Sequence, residues 1–427
     1  LPIFWEPLKI ELQVSMLTYY PDVILVYCDI KRMNSKGEIF SESDICHSIF
    51  PSGYIFNTLL FTDNVISTPS QVIVRRSALK KTDGFHKKTV LELLNHQQAR
   101  EDISPISFHL ISSDTQHTFL LRWLHPFCDA RGADLILKYL CTEDPAKRAK
   151  FDLPKLDSLV NLQLEKYSLW QKISLFFKAK RYITQLDKLS SIIHADISKA
   201  PKNLNFLPFT MSIEQTQIIN QLARKQVGMT GTSLYYLGCF MRALHRMNPD
   251  QSGEAYCAPY AFNLRKNKAL SPVLGNHVGA LFAQAPKSIL HDRNALFQHL
   301  KQENKQVIRE SLDYAFLPVM LAASWLSLKK HGKELRQSYG SGSERSSFWF
   351  SDIGKSDLSN QPFFNSEIQK VFHLCQVTSP PALAFLCCQM NEQLTISYNF
   401  VEPLFASVWI EQLHSYMLEE LLMPTDE

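Results

Sequence analysis

Two apolar runs, Ser107 to Ile111 and Thr118 to Leu124, flank the turn-forming cluster Ser112-Ser113-Asp114-Thr115, and this pattern predicts a β-hairpin. The second arm is apolar on both faces, as a strand in the middle of a sheet is. Directly after it, Ala133, Ile136, Leu137 and Leu140 follow at i, i+3, i+4 and i+7, which is helical spacing. The residues between, His125 to Gly132, therefore form a strand-to-helix turn, a place where side chains are held rigidly and still reach solvent.

Residues 163 to 189 intersperse Trp170, Ile173, Phe176, Phe177 and Ile183 with Lys166, Lys172, Lys178, Lys180 and Arg181, predicting a basic amphipathic helix or helix pair whose apolar face packs and whose basic face is solvated, beside the alternative of membrane or partner binding. Periodicity lapses around Ala200-Pro201-Lys202-Asn203 and Pro208, so a linker is expected near residues 198 to 209. Ser212 followed by Gln215 has capping-box spacing, and Ile218, Ile219, Leu222 and Ala223 carry the helix onward. A second helix follows the Val227-Gly228-Met229-Thr230 turn, with Leu234, Leu237, Met241 and Leu244 on one side. The apolar stretch Tyr314 to Leu328 falls short of the roughly 18 residues that span a bilayer and reads as a buried helix. Ser338 to Ser347, rich in Gly and Ser, reads as a loop without the glycine pattern of a phosphate cradle. Near the end, Ala382 to Gln389 and Leu394 to Asn399 predict two strands joined through Asn391-Glu392. A last helix then carries Phe405, Val408, Trp409, Leu413 and Met417.

A chain of 427 residues is long enough for two domains of ordinary size, and 45% hydrophobic with 20% charged residues is a globular balance. A net charge of +4 from 45 basic and 41 acidic residues leaves no strong footprint for nucleic acid, which is excluded as an expected partner. The nine cysteines are odd in number and form no C-x-x-C, so neither a disulfide framework nor a cysteine zinc site is indicated, and a reducing, cytoplasmic setting fits. His86, His96, His109 and His117 lack the spacing of a zinc-binding helix, so no metal is expected. No leader pattern stands at the start, and the opening on Leu1 reads as a chain trimmed or cut from a longer one, which leaves room for one domain of a synthase assembly line.

Chemistry concentrates in Leu124-His125-Pro126-Phe127-Cys128-Asp129-Ala130-Arg131-Gly132. A neutral imidazole can take a proton from an attacking hydroxyl or amine, because an unperturbed histidine titrates at about pH 6.5, and such base catalysis contributes ~10²- to 10⁴-fold. The segment resembles the H-x-x-x-D motif of acyltransferases with a chloramphenicol acetyltransferase-like fold, the class of peptide-synthetase condensation domains, alcohol acetyltransferases and plant BAHD enzymes. Phe262-Asn263-Leu264-Arg265 with Leu274-Gly275-Asn276-His277-Val278-Gly279 resembles the "N-x-R … G-N-x-V-G" stretch of that class, and the helix pair from Ser212 to Leu244 resembles the segment before it. Phe350-Ser351-Asp352-Ile353-Gly354 resembles the class's "S-N-x-G" strand. These matches run in family order from about Asp102 to Leu421, and residues 1 to 100 do not align.

The resemblance implies an α/β fold of two similar domains, 1–200 and 205–427, each a mixed sheet with helices, meeting at an active-site tunnel. It implies His125 as general base for acyl transfer from a CoA or phosphopantetheine thioester to a hydroxyl or amine acceptor, with no tightly bound cofactor, in a monomer, with an acyl carrier protein as a further expected partner. Ser351 is then the candidate oxyanion donor, beside the alternative of an ordinary strand serine. Asp129 is implied to bind Arg265 and hold the loop, with a His-Asp dyad as the alternative, and Gly132 and Asn276 complete the structural surroundings. Cys128 reads as a small buried hydrophobe, or else a nucleophile that would need an electropositive setting. Leu124 stands where condensation domains double the histidine, which favours the single-histidine alcohol acyltransferase pattern. The opposing reading is an inactive condensation-like domain that binds a carrier protein or other partner.

Overall fold

A computed structural model of the chain describes residues 25–26, 69–77, 84–96, 106–112, 116–125, 128–142, 164, 167–196, 198–228, 231–263, 276–323, 345–356, 358 and 367–424. The first sheet has the order β1-β3-β4-β2-β9, from β1 (Leu25–Val26), β2 (Pro69–Ser77), β3 (Ile106–Ser112), β4 (Gln116–Leu124) and β9 (Lys370–Leu374). The expected hairpin is β3 and β4, antiparallel, with Leu110 opposite Phe119 and Ile106 opposite Trp123. β4 lies in the middle of this sheet, and period-two alternation buries both its faces. Phe119, Leu121 and Trp123 pack with Ala133 and Leu137 of α2 (Ala130–Cys141). Leu120 packs on the other face with Val90 and Leu94 of α1 (Gly84–His96).

The second sheet has the order β5-β11-β10-β8, from β5 (Asn203–Thr210), β8 (Trp349–Lys355), β10 (Leu383–Met390) and β11 (Gln393–Glu402). β6 (Ala255–Asn263) and β7 (Val278–Pro286) form a separate antiparallel ribbon. β10 and β11 are joined by Asn391 and Glu392, both in the left-handed region with φ of 49° and 59°, as a two-residue hairpin turn requires. The helices here are α3 (Leu169–Leu186), α4 (Ile213–Val227), α5 (Thr232–Met247), α6 (Arg293–Arg309), α7 (Leu312–Ala323) and α8 (Ser407–Leu422). The capping box at Ser212 forms, with both reciprocal bonds to Gln215 present. α5 is buried on every side, not along one stripe, because Phe240 stacks on Phe385 of β10 with ring centroids 3.9 Å apart while α4, α6 and α8 cover its remaining faces.

Three elements depart from the sequence pattern. The expected linker at 198–209 contains β5, which pairs with β11 along its full length and buries Leu204 and Phe206. β5 is an edge strand, and an edge tolerates Pro208, which has no N–H to give a ladder. The face that α3 packs is Leu175, Ala179 and Leu186, so Trp170 and Phe177, expected inside, stand outside. β9 comes from the C-terminal part of the chain and pairs with β2 in the first sheet, so that sheet draws on both ends of the sequence. Of the long apolar stretch, α7 accounts for Leu312–Ala323, and residues 324–344, which include most of the Gly/Ser segment, lie outside the described residues.

Candidate active site

β4 ends at Leu124 and α2 begins at Ala130, so His125 emerges from the middle strand of a sheet whose two faces are filled. The turn between is tied internally: the Trp123 indole N–H donates to the Cys128 carbonyl at 2.7 Å, with both residues buried. Asp129 caps α2, its Oδ1 accepting from the Gly132 N–H at 2.8 Å. Its Oδ2 accepts from the His277 N–H at 2.8 Å. One buried carboxylate thus pins the turn to the start of α2 and to the segment that enters β7. This places negative charge near a helix N-terminus, where the exposed amides favour it.

His125 faces the same segment. Asn276 Nδ2 donates to the His125 carbonyl at 3.0 Å and stands 2.9 Å from the ring Nδ1. Burial pushes the imidazole down to about 4, against the opposing pull of the Asp129 charge and of a hydrogen bond from the ring to its own carbonyl. At neutral pH the ring is therefore uncharged. With the proton on Nδ1, directed at the histidine's own carbonyl, Nε2 carries a free lone pair, which is the form a base needs.

A second set of contacts joins this turn to β8. Arg131, in the first turn of α2, donates from Nη1 to the Lys355 carbonyl at 3.3 Å. Gly354 has φ +78°, a conformation that favours glycine, and the end of the Arg131 side chain lies against it, within 2.8 Å of where a Cβ would stand. Asp352 accepts from Ser233 Oγ at 2.7 Å and from the Gly354 N–H at 3.0 Å. Burial raises its pKa, while those two donors and the Arg131 charge oppose the rise.

Of the residues singled out in the sequence, His125, Asp129, Gly132 and Asn276 are brought together around one turn. Ser351 lies in β8, opposite Leu386 of β10 and next to Asp352. Arg265 lies outside the described residues. Cys128 is fully buried in the core beneath the turn, as the hydrophobe reading has it. Sequence reasoning missed the His277 backbone, Arg131 and the Asp352–Ser233 contact. Arg131 carried a signal, since it sits inside the motif two residues after Asp129, but its partner on β8 left none.

No protein-family model matches the chain, and no curated protein matches it. Solved structures do. The trichothecene 15-O-acetyltransferase of Fusarium sporotrichioides superposes with a TM-score of 0.61 at 10% identity, covering 86% of this chain and 94% of that one. The first condensation domain of the CDA synthetase gives 0.55 at 10% identity over 99% of this chain and 89% of its own. A Fusarium graminearum protein solved with coenzyme A and deoxynivalenol gives 0.53 at 10% identity, with 83% and 97% covered. The chain has the chloramphenicol acetyltransferase-like fold, shared with trichothecene acetyltransferases and peptide-synthetase condensation domains.

Proposed function

We propose that this protein is an acyltransferase that moves an acyl group from a CoA or phosphopantetheine thioester to a hydroxyl or amine acceptor, with His125 as general base. The observation that carries the reading is the uncharged imidazole at the end of β4, on a turn held by two backbone N–H bonds to Asp129. In this reaction Nε2 takes the acceptor proton as the acceptor heteroatom attacks the thioester carbonyl. The tetrahedral oxyanion is met by the Ser351 hydroxyl, and collapse expels the thiolate, which recovers the proton from the imidazolium. The thioester supplies its own leaving group, so neither a metal nor an acyl-enzyme is needed. Donor and acceptor approach through a tunnel between an N-terminal unit ending near residue 200 and a C-terminal unit starting near residue 205. The neighbour solved with coenzyme A supports a CoA donor, and the likeness to a condensation domain of a synthetase keeps a phosphopantetheine-bound donor as the other source.

One contact favours a second reading. If Asn276 Nδ2, 2.9 Å away, donates to the ring Nδ1, then Nε2 bears the proton and the histidine cannot act as a base. The chain is then an inactive relative that binds a carrier protein or other partner. Thiol release from a panel of acyl-CoA and acyl-carrier donors, with and without alcohols and amines, separates the two. The acyltransferase reading expects acceptor-dependent release that His125→Gln lowers by at least about 10²-fold, with the unfolding midpoint nearly unchanged. Release that persists in a folded His125→Gln protein overturns the base assignment, and no release with any donor favours the inactive reading.

A further inference from the structure

α3 presents an apolar stripe to solvent. Trp170 is 79% exposed, Leu169 70%, Phe177 61% and Ile173 38%, and Leu169, Ile173 and Phe177 recur at four-residue intervals, which puts them on one side of the helix. The opposite side is committed to the core through Leu175, Ala179 and Leu186. The helix cannot roll to hide the stripe, because the Tyr182 hydroxyl donates to the Phe282 carbonyl at 2.8 Å and accepts from the Phe282 N–H at 3.0 Å. Lys178 also donates to the Glu310 carbonyl at 3.0 Å.

Charge surrounds the stripe. Over its 18 residues α3 contains Lys172, Lys178, Lys180 and Arg181 and no Asp or Glu. Helical geometry puts Lys180 and Arg181 one turn beyond Phe177 on the same outward side, with Lys178 along its flank, while Lys172 falls toward the packed side. Among the described residues no carboxylate pairs with Lys172, Lys180 or Arg181. A convex helix with aromatic and aliphatic side chains at its centre and unpaired cations around them is the arrangement of an interfacial helix, in which the apolar side chains enter the acyl boundary and the cations lie at phosphate level. A protein partner would have to bring a groove matched to these anchors, whereas an anionic headgroup layer meets the outward cations without one. Among the described residues no helix is long and apolar enough to cross a membrane, so attachment through this face is peripheral.

We propose that the outer face of α3 docks this protein on anionic phospholipid surfaces. The proposal stands apart from the acyltransferase reading and is tested without assaying activity. The whole chain is floated with vesicles of phosphatidylcholine alone and of equal parts phosphatidylcholine and phosphatidylglycerol. The expected result is flotation with the anionic vesicles only, reversed by high salt. Trp170→Ser with Phe177→Ser should weaken it at least about tenfold, and Lys180→Glu with Arg181→Glu at least about fivefold per charge. Since all four side chains lie on the outer face, unchanged circular dichroism and unfolding midpoints show that both variants fold. Absence of flotation with anionic vesicles overturns the proposal, as does flotation that neither variant weakens. Wild-type protein that self-associates in gel filtration, loses this in the serine variant and fails to float assigns the face to a second copy instead.

Discussion

In the proposed reaction His125 serves as a base only while neutral, and burial pushes its conjugate acid down to about 4 from a usual value of about 6.5. The sign follows directly: kcat/KM holds as pH falls through 6.5 and drops only as pH approaches the lowered value, since that ratio reports the free enzyme. An acid limb centred well below pH 6 is expected in a pH-rate profile of thiol release, and a limb at about 6.5 would show a solvated histidine instead. Asp129 works on the same residue from two sides. Its charge raises the imidazole, and its oxygens hold the Gly132 and His277 amides. Asp129→Asn should therefore move the limb further down. It also loses one acceptor, costing about 1–3 kcal/mol in urea unfolding.

At the scale of elements, close approach decides what a glycine is for. In an ordinary exposed helix Gly→Ala stabilises by about 0.5–1 kcal/mol. In α5 a Cβ at Gly238 would run into the Phe297 ring of α6. That ring has little room to yield, being stacked on Tyr235 at 5.4 Å with the Arg293 guanidinium 5.3 Å from its centroid. The same arginine reaches the buried Glu420 carboxylate of α8 at 3.2 Å, where Arg242 and Arg246 of α5 also converge. Overpacking of this kind costs about 1–3 kcal/mol and outweighs the propensity gain. Gly238→Ala is expected to lower the urea midpoint, and a raised midpoint would mean that the three helices can separate freely.

At the scale of the whole molecule, buried histidines bias the fold toward neutral pH. Burial pushes His109, His194 and His414 down to about 4 each and His373 to about 3. Their unfolded counterparts titrate at about 6.5, so the unfolded chain binds protons that the native one refuses. Stability is full above about pH 6.5 and is lost as pH falls toward 4. At about 1.4 kcal/mol per pKa unit, each site accounts for on the order of a few kcal/mol of the stability lost on acidification to about pH 4, against the ~5–15 kcal/mol that holds a typical domain. Urea midpoints measured stepwise between pH 7 and 4 should fall steeply, and less steeply in His373→Gln, whose replacement does not titrate. A flat series would show that these rings stay solvated.

Local patterns on this chain were legible because their causes are local. The β3–β4 hairpin, the capping box of α4 and the β10–β11 turn each rest on residues within a few positions of one another, where periodicity and turn chemistry act, whereas α2 begins at Ala130 with Asp129 as its cap, inside the stretch 125–132 read as turn. The position of His125 at the end of a strand buried on both faces followed from the same short-range pattern. Contacts between distant positions left no such trace. Nothing in residues 198–209 announces that β11 lies alongside to pair with them, and nothing in α3 says which side its neighbours will cover. The joining of Asp129 to His277, of Arg131 to β8 and of β9 to β2 was likewise decided only by the assembled fold. Such a bond needs only a backbone amide, a carbonyl or an open strand edge on the far side, and every residue offers those whatever its side chain.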